Sequence, residues 1–155
     1  MTIEDDIAFF ERVPTLNMLG RPALRILAIG AESRYVHPEE VLFSAGDPAD
    51  AGFVVQEGTF NLTARQSERG DAVVVGRGTL LGELALLTET IRPVTATANE
   101  PSTVLRIPRT LFLKMLEGYP DAATRLRKHM ASRATRTADD IRKIGSALEP
   151  RGRTK

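Results

Sequence analysis

Between residues 33 and 107 the chain is cut into short apolar runs by turn residues, and this punctuation limits the possible folds more than any other feature. Tyr35-Val36 is followed by His37-Pro38-Glu39-Glu40, and Val41-Leu42-Phe43 by Gly46-Asp47-Pro48. Phe53-Val54-Val55-Gln56 is followed by Glu57-Gly58, and Thr59-Phe60-Asn61-Leu62-Thr63 by a polar stretch from Arg65 to Asp71. Ala72-Val73-Val74-Val75 then meets Gly76-Arg77-Gly78, and Val94 to Ala98 and Thr103 to Ile107 supply two more runs. β-Branched and aromatic residues bounded by Gly, Pro, Asn and Asp read as strands joined by tight turns. The two runs on either side of Glu57-Gly58 read as the clearest hairpin. Many short strands at regular spacing predict an antiparallel β-roll or jelly roll, not a doubly wound sheet.

Helical spacing flanks this region on both sides, so the fold class is α+β. Ile3, Ile7, Phe10 and Val13 recur at helical steps up to Pro14. Gly20-Arg21-Pro22 opens a second helix, with Leu24, Ile26 and Leu27 facing inward and Gly30 at its end. Pro108 starts a third, carrying Leu111, Phe112, Met115 and Leu116 on its apolar side and stopping at Gly118. From Pro120 a long helix follows, in which Ala123, Leu126, Met130, Ala134, Thr137, Ile141, Ile144 and Leu148 keep steps of three and four. That stripe either packs back on the roll or forms the seam of a parallel homodimer through residues 123–148. The expected layout is one domain over 1–155: N-terminal helices 1–32, roll 33–107, C-terminal helices 108–148 and a basic tail 149–155.

The stretch 81–95, Leu-Gly-Glu-Leu-Ala-Leu-Leu-Thr-Glu-Thr-Ile-Arg-Pro-Val-Thr, carries the chemistry. Leu84 to Leu87 are good helix formers, so one turn beginning at Gly82 presents free backbone N–H groups to an anion. Arg92 offers a guanidinium fork for phosphate oxygens, and Glu83 an acceptor for sugar hydroxyls. A ribose phosphate satisfies both.

This stretch resembles the phosphate-binding cassette of cyclic-nucleotide-binding domains, in which Gly-Glu-(Leu/Ile)-Ala-Leu precedes an Arg and then small residues. The turn glycines Gly46, Gly58, Gly78 and Gly82 extend the similarity over roughly residues 8–148. The resemblance implies that Glu83 takes the ribose 2′-hydroxyl, that Arg92 takes the exocyclic phosphate oxygens, and that N–H groups of the Gly82, Glu83, Leu84 and Ala85 turn complete the cradle, with Pro93 and Val94 beside it. Pro93 departs from the family's Ala, Ser or Thr and has no N–H to donate. One lost charge-assisted hydrogen bond removes about 1.5–3 kcal/mol, roughly tenfold to a hundredfold in affinity. Pro93 also lacks the hydroxyl that many cGMP-preferring members place there, which makes cAMP the expected ligand ahead of cGMP. By similarity to catabolite-activator-type regulators, Thr137 falls where the long helix touches adenine, its alternative role being a small residue in a helix seam.

Other functions find no support in composition or motifs. The chain has no cysteine, which excludes disulfides, iron–sulfur clusters and thiol nucleophiles. His37 and His129 stand alone, no Gly-Lys-Ser/Thr follows Gly76 to Gly82, and no Ser–His–acid arrangement emerges, so the reading is a non-enzyme with no metal or cofactor. The formal net charge of +1 is too balanced for whole-surface attraction to nucleic acid or an anionic membrane, and only a short basic tail follows Leu148 where catabolite-activator relatives carry a helix-turn-helix. The acidic N-terminus and the lack of a membrane-length apolar run give cytoplasmic residence as the expectation. The sequence therefore predicts a receptor for a cyclic nucleotide that signals through its C-terminal helix to a separate effector protein. The alternative is a module that keeps the fold and dimer helix without binding nucleotide.

Overall fold

The computed structural model describes residues 2–64 and 72–132. Helix α1 (Ile3–Phe10) leads through a 3-10 turn (Leu16–Met18) to α2 (Arg21–Gly30). Ten strands follow: β1 (Glu32–Val36), β2 (Val41–Phe43), β3 (Pro48–Ala49), β4 (Ala51–Glu57), β5 (Phe60–Ala64), β6 (Ala72–Val75), β7 (Leu80–Leu81), β8 (Thr90–Ile91), β9 (Val94–Ala98) and β10 (Ser102–Pro108). A second 3-10 turn (Leu84–Leu86) interrupts them between β7 and β8. Helix α3 (Arg109–Gly118) and a further helix, α4, over 120–132 complete the described chain.

The strands build two four-stranded antiparallel sheets, ordered β1-β10-β4-β7 and β2-β9-β5-β6, with β3 and β8 as a separate pair. The α+β roll expected from the turn spacing is the fold observed. One expectation is corrected. β4 and β5 do not form a hairpin, because β4 is already flanked by β10 and β7 while β5 lies between β9 and β6. Glu57-Gly58 is instead the corner at which the chain passes from one sheet to the other. Gly58 has φ 89°, and a Cβ on it would lie 2.0 Å from the Ser102 hydroxyl, so the corner admits no larger residue.

Alternation along β4 divides the interior in two. Phe53 and Val55 face the inside of the roll with Phe43, Phe60, Leu81, Ala96 and Val104, whereas Val54 faces the helices with Leu105 and Ile107. Both faces of the strand are therefore covered. The helical layer is closed by Ile7, Phe10, Leu24, Leu27, Phe112 and Met115, all nearly or fully buried. Leu86, on the turn after β7, joins this helical cluster. Ile26, expected inward, is partly exposed at the surface of α2, since Leu24 and Leu27 already fill that helix's contact stripe.

Helix α4 packs back on the domain through buried Ala122 and Leu126, with Met130 partly covered. Burial begins at Ala122, one residue before the expected Ala123, which is half-buried. Thr137, the remaining positions of the expected dimer seam from Ala134 to Leu148, the polar stretch 65–71 and the basic tail lie outside the described residues. Among the described residues no helix is long and apolar enough to cross a membrane.

The start of α1 makes a pH-dependent contribution. The Thr2 hydroxyl accepts the Asp5 N–H at 3.1 Å, and the Asp5 carboxylate accepts the Thr2 N–H at 3.1 Å, forming a capping box. The Thr2 backbone N–H, and next the Thr2 side chain, hold the Asp5 carboxyl below its ordinary range. A depressed carboxyl stabilises the fold above the ordinary Asp range and loses that contribution as pH falls through its lowered folded value. Asp5→Ala is expected to lower the thermal midpoint at neutral pH and to converge with the wild type in acid. A difference that persists undiminished below the Asp range would rule out this contribution.

Candidate functional site

Strand β7 delivers the chain to Gly82 at φ 82°, a conformation that side chains disfavour. The turn beyond is tight: the Ala85 N–H donates to the Gly82 carbonyl at 3.0 Å, Leu86 to Glu83 at 3.1 Å and Leu87 to Leu84 at 3.0 Å. The helical turn read from Leu84 to Leu87 is thus a 3-10 turn. Of the N–H groups expected to face an anion, that of Ala85 is already engaged within the turn. Ala85 and Leu86 are buried, while Leu84 is exposed.

The turn is fastened from behind by Arg109, the first residue of α3. Its Nη1 lies 3.2 Å from the Ala85 carbonyl, 2.9 Å from that of Thr88 and 3.0 Å from that of Ala49 on β3. The Arg109 N–H donates to the Asp50 carbonyl at 2.8 Å. With Leu86 inserted among the helices, these bonds make the turn and the start of α3 one mechanical unit.

Arg92 is only 4% exposed, and that burial decides the character of the site. Its backbone is pinned by the turn before β3: the Arg92 N–H donates to the Asp47 carbonyl and the Gly46 N–H to the Arg92 carbonyl, both at 2.8 Å. The guanidinium carbon lies 4.3 Å from the centre of the Phe43 ring and 5.4 Å from that of Phe53, and these two rings stack on each other. Nη2 donates to the Ala51 carbonyl at 2.9 Å. Nη1 is buried and has no hydrogen-bond partner among the described residues. Burial pulls the guanidinium below the ordinary arginine range, the Asp50 and Asp47 carboxylates opposing this and Arg106 adding to it.

Gly82, Glu83, Leu84, Ala85, Arg92, Pro93 and Val94 all line one cavity of about 400 Å³, whose other walls include Phe43, Leu62, Leu81 and Ile91. The structure thus gathers every sequence-identified site residue that it describes. The cavity is apolar apart from Glu83, Arg92, two threonines and exposed backbone, a composition that suits a flat ring joined to one anionic group. Glu83 also borders an adjoining cavity of about 490 Å³, lined by Pro14, Thr15, Thr79 and His129. There the Thr15 hydroxyl donates to Glu83 Oε2.

Sequence reasoning missed Thr15, the aromatic pair around Arg92 and the Arg109 clamp. Thr15 carries no signal beyond its place after Pro14. Phe43 and Phe53 read only as strand residues, and the structure places both in the core as well. Arg109 could be noticed only as a cation at a helix start, where the helix dipole offers it nothing. Among the described residues no group of three or more His, Cys, Asp or Glu could hold a metal ion.

An antiparallel roll flanked by helices, with a tight turn, a carboxylate and a buried guanidinium gathered at one apolar cavity, has the architecture of a ligand-sensing regulatory domain. The profile of the cyclic nucleotide-binding domain matches residues 33–119, and the chain belongs to that family. Among solved structures it is similar to the cyclic nucleotide-binding-like protein of Brucella abortus, at 34% identity and TM-score 0.66, covering 73% of this chain and 98% of that one. The N-terminal domain of a transcriptional regulator from Streptomyces coelicolor superposes at TM-score 0.77 and 29% identity, covering 86% of this chain and 94% of that domain. Among curated proteins it is 33% identical over 107 residues to lysophospholipase NTE1 of Pyricularia oryzae, and 32% identical over 126 residues to that of Chaetomium globosum. These matches take in 68% and 80% of this chain but only 7% and 8% of the relatives' length, so the likeness concerns one segment of a much longer enzyme.

Proposed function

We propose that the chain is a cytoplasmic receptor for a cyclic nucleotide, cAMP in preference to cGMP, that reports occupancy of its cassette through α4 to a separate effector protein. The observation that carries this reading is the Arg92 guanidinium, buried with Nη1 unpartnered in a cavity of ligand size. A buried charge with no direct ion pair among the described residues is costly, and a fold that keeps one gains most when an anion arrives. Glu83 beside it supplies the acceptor that a ribose hydroxyl needs. Preference for cAMP is supported by Pro93, which brings no hydroxyl to the cavity. The Arg109 clamp supports transmission, because a turn that moves on binding must carry the start of α3 with it.

One observation favours a second reading, a scaffold of the same fold that has lost the ligand. Pro93 offers no N–H and the Ala85 N–H is engaged, so the cradle has fewer donors than the resemblance implies. Calorimetric titration of nucleotide-free protein with cAMP and then cGMP separates the two. Saturable heat with cAMP, and weaker heat with cGMP, is the expected result; none with either would establish the scaffold. Pro93→Ala is expected to tighten cAMP binding by about tenfold through the restored donor. An unchanged dissociation constant would mean that the phosphate takes its hydrogen bonds elsewhere.

A further inference from the structure

Thr15 combines two features that seldom occur together. It is a β-branched residue at φ 78°, in the left-handed region that such residues avoid. It is also only 5% exposed, with its hydroxyl donated to Glu83 Oε2. A strained backbone persists only where the surroundings over-determine it, and here they do so from both sides. Val13 and Leu16 are fully buried, and the Asn17 N–H donates to the Val13 carbonyl at 2.9 Å. Farther along, Arg125 on α4 donates from Nε to the Met18 carbonyl at 2.7 Å and from Nη2 to the Leu19 carbonyl at 3.0 Å. The segment is a fixed strap, and its hydroxyl is a fixed donor.

That donor meets Glu83, which lines both cavities. A glutamate at the start of a turn has three side-chain torsions, and an acceptor that must be ordered on binding costs affinity. A carboxylate can accept about four hydrogen bonds over its two oxygens, so a hydrogen bond from Thr15 orients the group without exhausting it. We propose that Thr15 is a positioning residue that holds Glu83 ready for the ribose 2′-hydroxyl, and that the receptor's preference for a 2′-hydroxylated nucleotide depends on it. This inference rests on the cyclic-nucleotide reading and extends the binding site to the segment before α2. Because Arg125 ties the same strap to α4, an ordered Glu83 and an ordered α4 support each other.

The test compares cAMP with 2′-deoxy-cAMP by calorimetric titration of full-length protein. A role confined to Glu83 moves only the ligand that carries the hydroxyl. Thr15→Val is expected to weaken cAMP about three- to tenfold and to leave 2′-deoxy-cAMP unchanged, while Thr15→Ser keeps both wild-type values. In a Glu83→Ala background, Thr15→Val should have no further effect on cAMP. Thr15→Ala provides the same comparison should the valine variant fail to fold. Equal weakening of both ligands would reduce Thr15 to a structural residue and overturn the proposal. Tighter cAMP binding by Thr15→Val would also overturn it, showing that the threonine competes with the ribose. A wild type that binds both ligands equally would refute the proposal while leaving the receptor reading intact. A wild type that binds neither would remove the receptor reading itself.

Discussion

Replacing Arg92 with Met is expected to abolish measurable cAMP binding while leaving the unliganded fold about as stable as before. The binding loss follows from what the guanidinium can offer. Two charge-assisted hydrogen bonds to phosphate at about 1.5–3 kcal/mol each correspond to at least a hundredfold in affinity. The stability expectation rests on two opposing effects. Met removes a buried charge whose Nη1 has no partner among the described residues, and with it a desolvation cost of roughly several kcal/mol for a buried ion. It also takes the Nη2 donor from the Ala51 carbonyl, a cost of about 1–3 kcal/mol for a stranded acceptor. Met keeps contact with the stacked Phe43 and Phe53 rings, so no large cavity opens. Titration and urea unfolding of the same preparation test both halves. Wild-type affinity would show that the anion site lies elsewhere. A loss of several kcal/mol in stability would show that Arg92 is retained for the fold and not for a ligand.

The architecture was legible because turn chemistry is local. Gly46-Asp47-Pro48, Gly76-Arg77-Gly78 and the alternating runs between them state the roll without reference to any distant residue, and Arg21-Pro22 and Gly30 mark α2 at the bounds observed. The pairing of β4 with β10 instead of β5 was not legible. A hairpin and a corner use the same two residues, and what separates them is β10, distant in sequence, whose Thr103 takes Glu57 as its ladder partner. The cassette was legible as chemistry, since Gly82, Glu83 and Arg92 are polar or special residues in an apolar setting. Their supports were not. Phe43 and Phe53 serve both core and site, and the Thr15 contact spans 68 residues of sequence. Residues that act by position leave no pattern in their own neighbourhood.

Gly82→Ala provides the sharpest test of that spatial arrangement, because one methyl group should damage fold and site together. The backbone at φ 82° costs an alanine about 1–2 kcal/mol on conformation alone. The added Cβ would also lie 2.4 Å from Arg92 Nη1 and 3.3 Å from the Ala51 carbonyl oxygen. The guanidinium has no easy retreat: Nη2 is bonded to that same carbonyl, and two aromatic rings pack against its carbon. A total loss of about 2–3 kcal/mol in urea unfolding is expected, near the top of the usual range for one substitution. cAMP affinity should fall close to that of Arg92→Met. The decisive measurement is the double variant Gly82→Ala with Arg92→Met. With a flexible thioether in place of the fork, the steric part of the damage should disappear, leaving only the conformational 1–2 kcal/mol. Strictly additive effects would show that the methyl group strains the backbone without touching Arg92, and that glycine is required at this position by the turn alone.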